Sequence, residues 1–473
     1  MITRKTTRIV TSALAAVMAA AMWAAVGQAA GPVLIAIGTI SGFYEDFATQ
    51  TAAPLENGVR GNRLGGMGSG LAYLGGDFFV ALPDRGPNAV SFNPCTDDTV
   101  SYINRFHTVH MSLSPSDPNS TPLPFTLTPM VVDTTLLSSH TPLVYGSGCG
   151  LVGNGEPALN DVDHTYYFTG RSDNFDANQL STNPADARFD TEGIRVSNNL
   201  HRVYISDEYG PYVYEFDRLS GTRVRAYTLP KKFAISNLNS VGNLEISGNT
   251  SGRVTNKGME GLAITPDGRT LVGAMQSPLA QDGGDVKGGV TRIVTIDIPT
   301  GKTREYAYQL DTGVKTTISE IVAINNHEFL VDERDSKGLA DDSQAAFKRL
   351  YRIDLEGQFD VSNLTGAASL APRAVPKHLF LDIAAVLIAN GMNAFDIPAK
   401  IEGMAFGQDV TIGGQVRHTL YIANDNDYSP VVVNSHGTTT SNPNRFFVFA
   451  FSDVDLLGFI PQQFKDDDDH DRD

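Results

Sequence analysis

The pattern of apolar and polar positions along the chain consists of short alternating runs separated by turn residues, which is typical of strands. The clearest unit covers residues 256–277. Two runs, Gly261–Thr265 and Thr270–Met275, flank the segment Pro266-Asp267-Gly268, whose residue types favour a tight turn. The pattern therefore predicts a β-hairpin that follows the pair Glu260-Gly261.

This unit recurs along the chain, and each copy has the same order of parts. A polar residue opens the copy, an apolar run follows, and a second apolar run ends in acidic residues. A third run often carries Arg near its start and Asp at its end, as in Arg292–Asp297, and a Gly-led fourth run often follows, as in Gly301–Leu310. Four antiparallel strands repeated in this way indicate a β-propeller. The copies open at Ser69, Glu192, Glu260, Glu320 and Glu402.

The spacing of the copies predicts the number of blades. The four glutamates follow one another at steps of 68, 60 and 82 residues, whereas Ser69 and Glu192 are 123 residues apart. Because 123 is about two steps, we expect a divergent blade between residues 114 and 188. The predicted fold is therefore an all-β propeller of about six four-stranded blades. One helix is predicted over Lys377–Asn390, where an apolar stripe ends at Gly391, and we expect it to pack against the propeller rim.

The first 30 residues have the features of a targeting segment. Basic residues at positions 4, 5 and 8 precede the apolar run Ile9–Val26, and small residues at 27 and 29 fit a cleavage site. A single-pass anchor is the alternative, but no charged flank follows the run. We expect cleavage, export to the periplasm or the extracellular space, and no membrane attachment afterwards. The predicted organisation is a signal peptide (1–30), a propeller domain (31–460) and an acidic disordered tail (461–473).

The overall charge limits the classes of partner. The formal net charge is -17, so the surface repels nucleic acid and anionic membranes and favours cations. We therefore expect no nucleic acid partner. The other expectations about partners, which do not depend on the charge, are a small anionic ester as substrate and a monomeric protein.

The chain has two cysteines, Cys95 and Cys149. In an exported protein an even pair favours a disulfide, which here would join the loop after the first hairpin to the divergent blade. Two free structural thiols are the alternative.

The repeated glutamates predict a metal site. The first strand of each propeller blade lines the central channel, so the four glutamates would ring one mouth of that channel. Crowded carboxylates raise one another's pKa unless a cation neutralises them, and Ca²⁺ takes several oxygen ligands. In the alternative interpretation each Glu bonds neighbouring backbone N–H groups and holds the blades together. The predicted metal ligands are Glu192, Glu260, Glu320 and Glu402, with Asp207 and Asp332 as second-strand partners.

Other charged residues end the second strands of the hairpins. The acids there are Asp84, Asp207, Glu208, Asp332, Glu333, Asp425 and Asp427. Arg85, Lys257 and Arg334 lie beside these acids or beside a Glu-Gly pair, and they are the predicted catalytic cations. Acids, a metal ion and basic side chains together are what a phosphate ester requires, because its charge grows in the transition state.

Several segments in combination resemble the phytase-like family, whose members are described by an esterase-like activity of phytase. They are Leu82–Asn88, Glu192-Gly193, Ser206–Gly210, Asn256–Ala263, Asp332–Asp335 and Ile401–Ala405. The resemblance runs from about residue 60 to 450 and implies a secreted propeller that hydrolyses phosphoesters or esters. The chain departs from the calcium-dependent propeller phytases because it has no Asp-Asp-Pro-Ala block, which leaves phytate unsupported as the substrate.

Two classes of function remain open from the sequence. The first is a metal-dependent hydrolase of phosphate esters or related esters at the channel mouth, with a lactonase-type hydrolase as a variant. The second is an extracellular propeller that binds a cation or ligand without catalysis. A hydrolase should gather unpaired acids beside a basic side chain, whereas in a binding module the acids should be paired with backbone groups or arginine.

Overall fold

Five four-stranded antiparallel sheets are arranged as the blades of a β-propeller. The computed structural model describes residues 31–87, 95–97, 99–117, 122–146, 155–161 and 163–465. Residues 1–30, with the predicted signal peptide, lie outside these ranges, as do Asn88 and residues 466–473. Cys149 also lies outside them, so its pairing with Cys95 stays a prediction.

The blades are numbered in chain order, and the strands within each blade follow the same order except in blade 5. Blade 1 contains β2 (Gly70–Gly75), β3 (Phe78–Leu82), β4 (Arg105–Pro115) and β5 (Phe125–Leu136). After the short pair β6 (Ser138–Ser139) and β7 (Tyr166–Tyr167), blade 2 contains β8 (Thr191–Val196), β9 (Arg202–Asp207), β10 (Tyr212–Asp217) and β11 (Arg223–Thr228). Blade 3 contains β12 (Met259–Ile264), β13 (Thr270–Met275), β14 (Val290–Asp297) and β15 (Thr303–Gln309).

The last two blades contain the insertions. Blade 4 contains β16 (Thr317–Ala323), β17 (Glu328–Arg334), β18 (Lys348–Asp354) and β19 (Lys377–Asp382). Blade 5 contains β20 (Ile401–Ile412), β21 (Gln415–Asn424), β24 (Asn444–Phe451) and β1 (Val33–Ile40). The hairpin of β22 (Val431–Val433) and β23 (Thr439–Ser441) is inserted between β21 and β24.

The first strands of the blades form a closed ring, which corrects the predicted number of blades from about six to five. In this ring β2 contacts β8, β8 contacts β12, β12 contacts β16, β16 contacts β20, and β20 contacts β2. The described part of residues 114–188, where a sixth blade was predicted, holds only the end of β4, the long strand β5 and the pair β6–β7. The 123-residue step therefore reflects a long hairpin and loop instead of an additional blade.

Blade 5 is completed by both ends of the chain. The N-terminal strand β1 pairs with β24, and the register joins Val33 to Ala450 and Ile40 to Asn444. This pairing could not be predicted from the repeat pattern, because β1 precedes the first recognisable repeat. The ring is thus closed by hydrogen bonds between strands from opposite ends of the sequence.

Apolar side chains fill the spaces between adjacent blades. Each pair of neighbouring sheets shares one buried cluster, so the propeller has five inter-blade cores instead of a single central core. Each cluster has members from both neighbouring blades: Phe79 and Tyr421, Val80 and Ile205, Tyr204 and Leu271, Ile293 and Val331, and Leu330 and Leu420.

The helix predicted over Lys377–Asn390 forms only in its second half. Lys377–Asp382 is the outer strand β19, and helix α3 covers Ile383–Ala389. The carboxylate of Asp382 accepts the backbone N–H of Ala385 at 3.0 Å, which caps the helix at this point. Buried Ile383, Ala384 and Leu387 pack between blades 4 and 5, and Gly391 follows the helix with a φ of 91°. The described residues also contain helices α1 (Gly242–Ser247) and α2 (Ala367–Leu370), and 3₁₀ turns over Thr49–Thr51, Lys231–Phe233, Ala280–Asp282 and Ala371–Arg373.

The Glu-Gly pairs lie where the first strands approach one another most closely. A β-bulge lies at this level of β8, β12, β16 and β20. A Cβ atom on Gly261 would be 2.8 Å from the Cα of Glu320 in the next blade, and one on Gly193 would be 2.6 Å from the backbone N of Leu262. The glycines are therefore required by the packing of the ring, and the bulges redirect the residue before each of them.

We expect the Gly261→Ala variant to be less stable than the wild type by about 2–3 kcal/mol, because the new methyl group would overlap backbone atoms. Urea unfolding of the two proteins measures this difference. Gly313→Ala is a matched control, since its Cβ would meet only the Asp311 carboxylate, at 3.2 Å. Equal losses in the two variants would contradict the role of Gly261 in ring packing.

The far end of the channel is covered by the C-terminal segment, residues 452–465. Its residues contact every blade: Phe459 packs on Phe406, and Phe464 lies 6.0 Å from Tyr73, between ring centroids. Backbone or side-chain N–H groups of residues 460–465 donate to Ile324 O (2.8 Å), Pro266 O (3.5 Å), Val196 O (2.7 Å) and Asn198 O (2.8 Å). A ligand therefore reaches the channel from the opposite mouth. Across the described residues, none of the helices has the length and apolar character needed to cross a membrane.

Candidate functional site

The open mouth of the channel contains a cavity of about 570 Å³. The starts of the first strands and the ends of the second strands line it, together with loops of blades 3, 4 and 5. Ten lining residues are acidic and six are basic, so the cavity is rich in charge of both signs with an acidic excess. The acids are Asp84, Glu192, Glu208, Glu260, Asp285, Asp335, Asp341, Glu402, Asp425 and Asp427, and the bases are Arg85, Lys257, Lys315, Arg334, Lys337 and Lys400.

The bulges decide which first-strand residues reach the cavity. In β12 the register shifts between Met259 and Gly261, so Glu260 is the bulged residue. In β16 the shift lies between Ile318 and Glu320, so the equivalent of Glu260 is Ser319. Glu320 therefore occupies the position that follows the bulged residue, where the Glu-Gly pairs of the other blades have their glycine. Glu192, Glu260 and Glu402 therefore line the cavity, while Glu320 does not.

Glu320 instead joins four blades inside the channel. Its carboxylate lies 3.0 Å from Arg195 Nη2 of blade 2 and accepts the backbone N–H of Leu262 of blade 3 at 3.0 Å. Arg195 also donates to Leu71 O of blade 1 at 2.6 Å and to Ile321 O of blade 4 at 2.8 Å. These contacts match the alternative weighed from the sequence, in which a repeated Glu bonds backbone groups of neighbouring blades.

The two second-strand partners predicted from the sequence also lie outside the cavity lining. Asp207 is fully buried and accepts the N–H groups of Asp190 (2.8 Å), Tyr209 (3.1 Å) and Gly210, so it shapes the turn after β9. Asp332 is fully buried in β17, opposite Glu320. The residues that line the cavity from the second-strand ends are Asp84, Glu208, Gln276, Arg334 and Asp425.

The acids of blade 5 are paired with basic side chains. Arg334 Nη2 donates to the carboxylate of Glu402. Lys400 Nζ lies 2.6 Å from Asp425 Oδ2 and 2.5 Å from Asp427 Oδ1. These charges are therefore compensated within the protein.

A different arrangement is found on blades 2 and 3. Within the described residues the carboxylates of Glu192, Glu208 and Glu260 have no basic partner closer than Arg334 Nη2, which is 4.0 Å from Glu260. Burial and the neighbouring carboxylates raise the pKa of all three groups. Among the described residues, no N–H or O–H group of another residue type donates to the buried Glu260 Oε2. Burying a carboxylate oxygen in this way costs folding free energy unless a bound ligand compensates it.

Asp190 completes this cluster. One oxygen each from Asp190, Glu192 and Glu208 can be chosen so that all three lie within 4.8 Å of one another. Arg85 Nη1 donates to Asp190 at 2.5 Å and also to the side chain of Asn256, which fixes the guanidinium at the edge of the cavity. We call Asp190, Glu192, Glu208 and Glu260 the carboxylate cluster. Its oxygen ligands could bind a metal ion.

The predicted cations are all brought to the cavity. Arg85, Lys257 and Arg334 line it, and they lie on blade 1, in the turn that precedes β12, and on blade 4. Sequence reasoning missed Asp190 and Asn256. Asp190 could have been found as a second acid two residues before Glu192, whereas Asn256 carries no signal beyond its place beside Lys257.

Comparison with known proteins gives a family and a distant relative. A family model described as "Phytase-like: Esterase-like activity of phytase" matches residues 62–428. An uncharacterized secreted protein of Arthroderma benhamiae is 29% identical over 332 residues, which are 58% of this chain and 60% of that protein. The chain thus spans about three fifths of the length of this relative.

Two solved structures are similar to this chain in fold, at low sequence identity. A periplasmic gluconolactonase of Pseudomonas aeruginosa is 10% identical, with 89% of this chain and 99% of that chain covered and a TM-score of 0.32. A PQQ-bound aldose sugar dehydrogenase of Streptomyces coelicolor is 12% identical, with 82% and 96% covered and a TM-score of 0.29. At these TM-scores neither structure carries an argument about function.

Proposed function

Since the chain belongs to the phytase-like family, described by its esterase-like activity, we propose that it is a cation-dependent hydrolase of phosphate esters or related esters. The observation that carries this proposal is the carboxylate cluster of blades 2 and 3, whose four acids have two basic partners among the described residues, Arg85 beside Asp190 and Arg334 at 4.0 Å from Glu260. The acids of blade 5 that line the same mouth are instead paired with Arg334 or Lys400. Glu192 and Glu208 have no ion pair among the described residues, and buried carboxylates of this kind favour a cation beside them.

Calcium is the cation that the cluster fits best. Ca²⁺ takes six to eight oxygen ligands at about 2.3–2.6 Å and tolerates irregular geometry. The cluster offers only carboxylate oxygens, and the described part of the cavity contributes no cysteine or histidine that would favour a softer metal. Glu260 Oε2, which is buried and accepts no N–H from the described residues, supplies a further ligand atom.

The surrounding side chains support ester chemistry at this place. A bound divalent cation supplies Lewis-acid stabilisation of the charge that develops on an ester oxygen. Arg85, held by Asp190 and Asn256, presents a fixed guanidinium to an anionic group of the substrate. Lys257 is half-buried at the same wall of the cavity and has a mobile ammonium group. Both side chains therefore bind and orient the ester next to the carboxylate cluster.

We also propose that the protein is exported and works outside the cytoplasm. The apolar leader at residues 9–26 and the secreted relative support this location. Calcium is abundant in the extracellular space, so a site of modest affinity is filled there.

The proposal is tested by hydrolysis of a panel of generic substrates. We expect release of phosphate or nitrophenol from nitrophenyl phosphate or nitrophenyl acetate when the purified protein is given Ca²⁺, and loss of this activity with a chelator. Activity that survives the chelator would contradict cation dependence. A calcium-induced rise in melting temperature without turnover on any ester would favour the second candidate, a non-catalytic cation-binding propeller, which the internally paired acids of blade 5 also fit.

Lys257→Met separates substrate binding from cation binding. Lys257 makes no ion pair with any described residue and affects the pKa of Glu208 only through space, so its replacement breaks no direct contact. We expect kcat/KM to fall by about 10- to 100-fold, or about 1.4–2.7 kcal/mol, while the calcium-induced rise in melting temperature is unchanged. Lys337→Met, at the exposed rim of the same cavity, is the matched control and should keep its activity. Equal losses in both variants would show that only the overall charge of the mouth matters.

A further inference from the structure

The cavity contains a second group of three acids, and it is on blades 1 and 5. One oxygen each from Asp84, Asp425 and Asp427 can be chosen so that all three lie within 4.8 Å of one another. We propose that the Lys400 ammonium takes the place of a second divalent cation in this group, so that the mouth binds one divalent cation and not two. The inference rests on the proposed function, because it presumes a cation at the carboxylate cluster.

The geometry of Lys400 is that of a built-in cation. Its Nζ is 2.6 Å from Asp425 and 2.5 Å from Asp427, which is close to the distance of a calcium ion from its oxygen ligands. The Asp425 side chain is fully buried and the Lys400 side chain is one-third exposed. The ammonium therefore compensates a buried carboxylate from the cavity side, where a metal ion would otherwise have to lie.

The acids that hold Lys400 are fixed by their own loop. Asp425 Oδ1 accepts the backbone N–H of Asp427 at 2.7 Å, and Asp427 and Tyr428 have positive φ angles of 50° and 53°. The Tyr428 ring packs edge-on against Tyr102 of blade 1, with 5.3 Å between centroids. Lys400 itself comes directly before β20, so both partners are attached to the rigid part of blade 5.

This arrangement favours phosphate esters over neutral esters. Sites that act on phosphate groups commonly use two cations to bind the attacking and the leaving oxygen. An ammonium has three N–H donors, and the two aspartates use two of them. The third N–H is left for an anionic oxygen in the cavity. The substrate class is therefore a phosphate ester, whose anionic oxygens bind in the cavity that the carboxylate cluster and Lys400 both line.

The number of bound calcium ions tests this inference directly. Isothermal titration of the full-length mature protein with Ca²⁺ should give one ion per wild-type chain. Lys400→Ala should bind two, because removal of the ammonium leaves three acids of blades 1 and 5 unpaired. Lys400→Arg keeps the positive charge and is the matched control, with one ion expected. Circular dichroism confirms that each variant is folded.

A measurement on the wild type keeps the inference testable if Lys400→Ala does not fold. Anomalous diffraction from crystals soaked in Mn²⁺ should show one peak, at the carboxylate cluster, and none between Asp84 and Asp425. Two ions in the wild type, or one ion in folded Lys400→Ala, would overturn the role of Lys400 and leave the proposed function intact. No bound ion in the wild type would instead contradict the proposed function.

Discussion

Glu260→Gln is expected to remove most of the stabilisation that Ca²⁺ gives to the wild type. The amide keeps the size of the side chain but removes one of the charges of the carboxylate cluster. We expect calcium affinity to fall by about 100-fold, the upper end of the loss caused by removing a group that only supports a metal ligand. At a free calcium concentration of 100 times the wild-type Kd, the wild type gains about 2.7 kcal/mol, whereas the variant gains only about 0.4 kcal/mol. Thermal unfolding at several calcium concentrations measures both values.

The metal-free variant is expected to show the opposite change. Without calcium, removal of one buried charge relieves the repulsion among Glu192, Glu208 and Glu260, so Glu260→Gln should unfold at a higher temperature than the wild type. Asp285→Asn is the control, because Asp285 lines the same cavity but is paired with Lys315 at 2.8 Å. If both variants respond to calcium as the wild type does, the cation does not bind at the carboxylate cluster.

Glu320→Ala should cause the largest loss of stability, about 3–5 kcal/mol. The change leaves the buried Arg195 guanidinium without its counter-ion and the Leu262 N–H without its acceptor, and an uncompensated buried charge costs this much. Urea unfolding in the presence of a chelator isolates this effect from any calcium binding. Because Glu320 lies outside the cavity, the folded variant should keep the calcium response of the wild type.

A double replacement serves as the control for Glu320. Arg195→Met with Glu320→Leu removes both charges together and keeps the volume near the original, so it should recover much of the stability that Glu320→Ala loses. A double variant that is no more stable than Glu320→Ala would show that the backbone hydrogen bonds, and not the ion pair, hold the blades. A calcium response lost in Glu320→Ala would return Glu320 to the set of metal ligands that the sequence predicted.

The repeat pattern predicted the fold class well because strand periodicity is a local property. The second strand of the clearest hairpin has the predicted bounds, Thr270–Met275, and the propeller itself followed from the repetition. The number of blades could not be read from spacing, since the long hairpin β4–β5 occupies the length of another repeat. The pairing of β1 with β24 could not be predicted either, because it joins residues far apart in sequence.

The candidate site shows a sharper limit of sequence reasoning. Glu260 and Glu320 look equivalent in the repeat. In β12, however, the bulged residue is the glutamate, whereas in β16 it is the residue before the glutamate. A shift of one position in a strand turns a side chain to the other face. The same alternation separates Asp207, which shapes a turn, from Glu208, which lines the cavity. The residue types were therefore readable, whereas their directions required the structure.

The closure of blade 5 by the two chain ends also has a consequence for the order of folding. Blades 1 to 4 are built from neighbouring segments and can form while the chain is still being synthesised. Blade 5 has to wait for β24, because Val33 and Ala450 must meet before β1 has a partner. Contacts this distant in sequence close slowly, since the entropy of a long loop is lost first. Until then β21 presents an open edge. The protein is thus most exposed to aggregation between the synthesis of β20 and the arrival of β24. Truncation at either end of the chain would leave blade 5 with an unpaired strand edge.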